Sequence, residues 1–166
     1  TSALNAYSDE TLVVFDHVRR ERAEIAVMGR SLGSGVAVQL ASERPVERLV
    51  LVTAYDSLVN VAREYFRWLP VGLLLRDRYD SATYASKVDA PVLIVIAGDD
   101  EIISRARSET LAAAFTPGRV QVEVIPGVGH NTLDGSPAYL EAVRLFLATN
   151  GGAAASTRSS RARLLL

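Results

Sequence analysis

Val27-Met28-Gly29-Arg30-Ser31-Leu32-Gly33-Ser34-Gly35 is the stretch on which the reading of this chain turns. An apolar run, Ile25 to Met28, stops at a glycine, and a serine follows two positions on. After Gly33, small and apolar residues (Gly35, Val36, Ala37, Val38, Leu40, Ala41) resume at helical spacing. The pattern reads as strand, tight turn, helix, with Gly29-Arg30-Ser31-Leu32-Gly33 as a G-x-S-x-G elbow. A serine at the tip of so sharp a turn sits in a strained backbone conformation, and side chains two residues to either side are expected to collide. The turn lifts the hydroxyl clear of the chain. It also aims the first amides of the next helix, which lack helical partners and carry the positive end of the dipole, at the same spot.

Working outward, the bulk numbers bound the answer. At 166 residues the chain makes one domain, and 49% hydrophobic with 22% charged residues is ordinary globular composition. A net charge of −1 with no basic stripe argues against nucleic acid as a partner. The absence of cysteine excludes disulfides, thiolate metal sites and a cysteine nucleophile. No run is long enough for a membrane span and no signal peptide is evident, so the expected location is cytoplasmic. The chain starts at Thr1 rather than methionine, and any signal or anchor is expected upstream of it.

In chain order, residues 2–22 read as an amphipathic helix. Leu4, Tyr7, Thr11, Val14 and Val18 form its apolar stripe, while Asp9, Glu10, Asp16, Arg19 and Arg20 lie on the other faces. Residues 24–29 form a first strand, and the elbow helix runs to about Arg44, ahead of Pro45. A second apolar strand spans 47–53. Residues 54–89 then break the rhythm with six aromatics (Tyr55, Tyr65, Phe66, Trp68, Tyr79, Tyr84), and Pro70 and Gly72 interrupt two short helices. This segment is either a lid over a pocket or a pair of helices that pack aromatics into the core. Pro91 opens a third strand, Val92 to Ala97, followed by Gly98-Asp99-Asp100-Glu101 and a helix over 105–115. In the fourth strand Val120, Val122 and Val124 alternate with Gln121 and Glu123, which suits a sheet edge. The strand runs into Pro126-Gly127-Val128-Gly129-His130-Asn131, and a last helix covers 137–148. Gly151 to Leu166 has no useful periodicity and reads as a disordered tail, so the core is expected over 1–148 and the tail over 149–166.

The fold class expected is α/β: a doubly wound parallel sheet of four strands ordered as in the chain, with helices on both faces. The first and last helices are expected on the face opposite the two middle ones. Three polar sites then follow three strands, namely Ser31, the acidic cluster and His130, and in a parallel sheet all of them reach one edge. Serine, acid and histidine in that chain order suit nucleophilic catalysis. The hydroxyl needs an imidazole to take its proton, and the imidazole needs a carboxylate to fix its tautomer. Of the two histidines, His17 lies within the first helix and His130 in a glycine-flanked loop, so His130 is the candidate base. Asp99, Asp100, Glu101 and, after the second strand, Asp56 all stand as candidate acids.

The elbow, the Pro91-Val92-Leu93-Ile94-Val95-Ile96-Ala97-Gly98-Asp99-Asp100-Glu101-Ile102-Ile103 segment and Gly127-Val128-Gly129-His130 together resemble the α/β-hydrolase superfamily. Within it the chain is similar to serine-aminopeptidase-like hydrolases with short lids, whose corresponding segment resembles Trp68-Leu69-Pro70 through Leu75-Arg76-Asp77-Arg78-Tyr79-Asp80-Ser81. The resemblance covers roughly residues 1–148. It implies Ser31 as nucleophile, Asp100 as acid and His130 as base, with the Leu32 amide as one oxyanion donor. It implies no cofactor and no metal. The implied activity is serine-dependent cleavage of an ester, thioester or small amide in a small acyl substrate, and a peptidase or acyltransferase could be built on the same residues. The superfamily fold normally has several more strands ahead of the first helix seen here, and a loop that supplies a second oxyanion amide. Nothing in residues 1–23 resembles either. The chain therefore looks like the C-terminal portion of such a hydrolase, with an open sheet edge for an N-terminal segment or a second copy to cover. The alternative is a non-catalytic remnant that acts as a binding module.

Overall fold

The computed structural model describes residues 3–66 and 80–149, with side chains from Ser8 onward. The expectations placed on Trp68, Pro70, Gly72, Tyr79 and the Gly151–Leu166 tail lie outside the described residues. The elements are α1 (Ala3–Arg19), β1 (Ala26–Arg30), α2 (Leu32–Glu43), β2 (Arg48–Val52), α3 (Leu58–Tyr65), α4 (Ser81–Ala85), β3 (Val92–Ala97), α5 (Arg105–Ala114), β4 (Val120–Ile125) and α6 (Pro137–Ala148). A short 3-10 turn, Leu133–Gly135, precedes α6. No described helix is long and apolar enough to cross a membrane.

The four strands form one parallel sheet in the order β1-β2-β3-β4. Every residue of β2 and β3 is buried, as expected of central strands covered on both faces. Alternate side chains separate two cores. Leu49, Leu51, Val92, Ile94 and Ile96 pack against Ala37, Val38 and Ala41 of α2, Ala85 of α4 and Leu111 of α5. Val50, Val52, Leu93, Val95 and Ala97 pack against Leu133 and against Tyr139 and Phe146 of α6. Full burial of each large aliphatic side chain contributes about 1.5–3 kcal/mol, so these two layers dominate the stability of the sheet. β4 has a half-exposed pattern and is an edge among the described residues, as its alternation suggested.

Two expectations are corrected. The first helix does not share a face with the last. It lies beside α2, where Ser8 Oγ donates to Gln39 Oε1 at 3.1 Å and Asp16 pairs with Arg44 at 2.8 Å. A helix entering a sheet that advances in one direction by right-handed turns falls on the same face as the crossovers that follow it. The stripe of α1 is also rotated. Ser8 and Phe15 are buried, whereas Val14 and Val18 are 61% and 38% exposed. The hydrogen bond from Ser8 and the ion pair of Asp16 fix the helix with Phe15, not Val14, turned inward. The Arg44 hydrogen bond holds the Asp16 carboxyl below its ordinary range. The stabilisation this pair gives is therefore complete above the unfolded-state carboxylate pKa and is lost as pH falls through the lower folded-state value.

The two elbow glycines differ. A Cβ on Gly29 would lie 2.5 Å from the Gly33 carbonyl oxygen and 2.6 Å from Ala37 Cβ, whereas one on Gly33 meets no described atom within 4 Å. Only the first glycine answers the steric expectation, because α2 turns back over β1 at Gly29 while Gly33 faces open space. Gly29→Ala should therefore lower stability by about 1–3 kcal/mol. Gly33→Ala should be neutral or slightly stabilising, by about 0.5–1 kcal/mol for a helical glycine. Urea denaturation of both variants checks the contrast.

Candidate active site

All four strands point their C-terminal ends at one edge of the sheet, and the loops that leave them build the site. Ser31 sits between β1 and α2 with φ 49° and ψ −121°, a left-handed conformation unusual for a residue with a side chain. The strain is held from both sides. The Ser31 N–H donates to Val52 O at 2.9 Å, and Ser31 O accepts from the Ser34 N–H at 2.9 Å and from Ser34 Oγ at 2.6 Å. Leu32, the first residue of α2, carries one of the helix amides without an intrahelical partner. Its carbonyl accepts from the hydroxyl of buried Tyr55 at 3.3 Å.

His130 follows β4 and is 5% exposed. Its Nε2 stands 3.0 Å from Ser31 Oγ, and its Nδ1 stands 2.9 and 3.0 Å from the two Asp100 oxygens. With the acid ionised, the tautomer that satisfies both contacts carries its proton on Nδ1 and leaves Nε2 to accept from the serine. The Asp100 side chain is 2% exposed. It also accepts the backbone N–H groups of Ile102 and Ile103 at 2.9 and 2.8 Å, so the buried charge is met by three donors.

The other candidates are elsewhere. Asp99 is exposed, and its backbone N–H donates to Val128 O. Asp56 is buried, but its Oδ2 accepts from Asn60 at 2.8 Å and from Arg107 at 3.2 Å, away from the histidine. Glu101 accepts the backbone N–H of His130 on Oε2 at 3.1 Å rather than meeting the ring. His17 is exposed on α1. Among the described residues, no three His, Asp or Glu side chains converge as metal ligands.

Sequence reasoning passed over two contributors. Arg30 lies inside the G-x-S-x-G motif at a position that can hold any residue. It donates to the His130 carbonyl at 2.6 Å and pairs with Asp134. Nearby, burial and then the Asp134 charge push the Tyr139 phenol above its ordinary range, with Arg30 opposing. Tyr65, at the end of α3, holds its hydroxyl 2.6 and 2.8 Å from the carbonyl oxygens of Glu101 and Ile102, which share its one proton. The aromatic segment thus divides. Tyr55 is buried with Val61 and Ile103, and Tyr84 packs against the separate core under α2, whereas Tyr65 and Phe66 are about half exposed.

Residues 3–149 match the family model described as the Dienelactone hydrolase family. An uncharacterized protein of Mycobacterium tuberculosis is 44% identical over 128 residues, which covers 75% of this chain and 45% of that protein. The alpha/beta hydrolase domain-containing protein aho-3 of Caenorhabditis elegans is 29% identical over 150 residues, 88% of this chain and 43% of its own length. The chain thus spans less than half the length of these relatives. In structure it is similar to TT1662 of Thermus thermophilus, with TM-score 0.66 and 24% identity over 84% of this chain and 60% of that one. It is likewise similar to E-2-(acetamidomethylene)succinate hydrolase, with TM-score 0.64 and 18% identity over 86% and 73%. At these identities the structural likeness concerns the fold. The superfamily is the one the motifs resemble, and the matching model is the dienelactone hydrolase one, where the motifs suggested the serine-aminopeptidase-like branch.

The geometry has a spectroscopic consequence. The hydrogen-bonded His130 Nδ1 proton should give a low-field NMR resonance that Asp100→Asn abolishes, because an amide presents the ring with a second donor or a weaker acceptor. Asp99→Asn and Asp56→Asn should keep the resonance. Asp56→Asn should instead cost about 3 kcal/mol of stability through the broken buried pair with Arg107.

Proposed function

From a chain that belongs to the dienelactone hydrolase family, within the α/β-hydrolase superfamily, we propose an enzyme that cleaves an ester, thioester or small amide through an acyl-enzyme on Ser31. The observation that carries this reading is the unbroken line from Ser31 Oγ through both His130 ring nitrogens to Asp100, with every link near 3.0 Å.

Ser31 Oγ attacks the substrate carbonyl carbon and passes its proton to His130 Nε2. The resulting oxyanion lies at the start of α2, where the Leu32 amide and the helix dipole oppose its charge. The tetrahedral intermediate collapses, and Nε2 gives the proton to the departing alcohol, thiol or amine. Water then attacks the acyl-enzyme with His130 as base, releasing the acid and restoring the serine. Asp100 keeps the Nδ1 proton in place and stabilises the imidazolium while it exists. No cofactor takes part in this scheme. The monoacylglycerol lipase of Paleococcus ferrophilus shares the fold, with TM-score 0.58 and 16% identity over 84% of this chain and 73% of that one. Its name and that of the succinate hydrolase point to quite different substrates, and neither narrows the acyl group here.

The second oxyanion donor and one pocket wall are proposed to come from a segment seated along β1. Among the described residues the outer edge of β1 has no strand partner, and Met28 beside it is 50% exposed.

Fluorophosphonate labelling should mark Ser31 and be lost in Ser31→Ala and strongly slowed in His130→Ala. Asp100→Asn should reduce acylation by several orders of magnitude and Asp99→Asn should cost little. Failure of Ser31 to label would favour the alternative, a hydrolase-like binding module. The 166-residue chain alone should hydrolyse a short-chain p-nitrophenyl ester about a hundredfold more slowly than a version carrying a segment that seats along β1, since one oxyanion donor is worth roughly 3 kcal/mol. It should also self-associate more. A monomeric 166-residue chain of equal activity would overturn the missing-wall proposal.

A further inference from the structure

The ring of His130 is held by Ser31 and Asp100, but its backbone is held as well, and by charged side chains from two other strand ends. Glu101, after β3, accepts the His130 N–H on Oε2 at 3.1 Å. Arg30, the last residue of β1, donates Nη2 to the His130 carbonyl at 2.6 Å and turns Nη1 to Asp134 on the 3-10 turn that follows. A donor and an acceptor of opposite charge thus grip the two sides of one residue. Between them they bridge the sheet from β1 to the loop beyond β4. Gly129 belongs to the same device: a Cβ there would lie 2.7 Å from Glu101 Oε2 and would push the carboxylate from its place on the next amide.

We propose that Arg30 and Glu101 are positioning residues for the His130 loop, setting the distance from Nε2 to Ser31 Oγ while touching neither substrate nor ring. The inference rests on the serine-hydrolase reading for its kinetic consequences and on geometry alone for its structural ones. The loop that carries His130 is rich in glycine (Gly127, Gly129) and follows an edge strand, so its backbone has little intrinsic preference for one conformation. Charge-assisted hydrogen bonds to both sides of the histidine supply that preference. Arginine suits the β1 side because one guanidinium can meet two acceptors, a carbonyl and a carboxylate, in fixed directions; lysine cannot.

The test uses Arg30→Ala, Arg30→Lys, Glu101→Ala, Glu101→Gln and Gly129→Ala in the full chain, with folding checked by circular dichroism. Two readouts are followed: kcat and KM on a p-nitrophenyl ester, and the low-field Nδ1 resonance of His130. His17 is the sole other histidine, so assignment is direct. Arg30→Ala and Glu101→Ala should lower kcat by about tenfold to a hundredfold with KM within about twofold, as for a base displaced by a fraction of an ångström. Both should broaden or remove the resonance. Glu101→Gln keeps an acceptor and should remain near wild type, and Gly129→Ala should behave like Glu101→Ala. Arg30→Lys should not restore kcat, whereas millimolar guanidinium added to Arg30→Ala should restore part of it. Folded Arg30→Ala and Glu101→Ala variants with wild-type kcat and an unchanged resonance would overturn the proposal. If Ser31→Ala keeps full turnover, the serine-hydrolase reading fails instead, and the resonance alone decides on the clamp.

Discussion

The site depends on three side chains from three separate loops meeting within hydrogen-bond distance, and only a parallel, in-register sheet makes that meeting routine. Arg30, Val52 and Val95 are aligned across β1, β2 and β3, and Ala97 is paired with Ile125 on β4. β1 and β2 therefore release their loops at one height, and β3 and β4 release theirs two residues further along. The register is locked by burial: a one-residue slip of β2 or β3 would exchange the two cores and set Leu51 and Ile94 against the partners of Val50 and Leu93. The energy that fixes the site is thus mostly hydrophobic and comes from the two cores along the strands beneath it.

Against that background, the polar groups at the edge are all under constraint. Ser31 sits in a backbone conformation that costs of the order of 1–3 kcal/mol. It keeps that conformation because β2 accepts its amide and α2 seals its carbonyl. Asp100 is a buried charge answered by two backbone amides and an imidazole. Thr53, at the equivalent exit from β2, also has a left-handed φ of 47° and is tied to Val95 O and Val52 O. The two strained exits stand side by side. The tightness of the sheet's upper edge is therefore shared between neighbouring loops and is not peculiar to the serine.

What the sequence discloses follows from where the information is local. Strand runs such as Leu49 to Val52 and Val92 to Ala97 declare buried parallel strands by composition alone. The elbow is likewise legible because Gly29, Ser31 and the small residues after it constrain one another within a few positions. The facing of α1 was not legible. Val14 and Val18 fit an apolar stripe as well as Phe15 does, and the choice was made by Gln39 and Arg44, far along the chain. The acid illustrates the same limit. Residue type and position left Asp56, Asp99, Asp100 and Glu101 open, and the resemblance to the hydrolases favoured Asp100. In the structure, direct neighbours take three different places: Asp99 in solvent, Asp100 on the ring and Glu101 on the backbone of the same histidine. They lie in the turn after β3, outside any helix or strand, and no periodicity reports which way each side chain faces there.

The groups that would perform the chemistry and the surfaces that would choose the substrate come from different parts of this architecture. Ser31, Asp100 and His130 need only the four strands present here, because each hangs from the end of one of them or from the turn just beyond. The side of the site next to β1 is another matter. Its strand edge is unpaired among the described residues, and Met28 of that strand is half exposed. An apolar side chain so placed loses the benefit of burial, about 25 cal/mol for each Å² left in water, and an open edge readily accepts a further strand. In a chain that spans under half of its relatives' length, the line from Ser31 through His130 to Asp100 is set by its own core. Its choice of substrate would be set by whatever lies along β1.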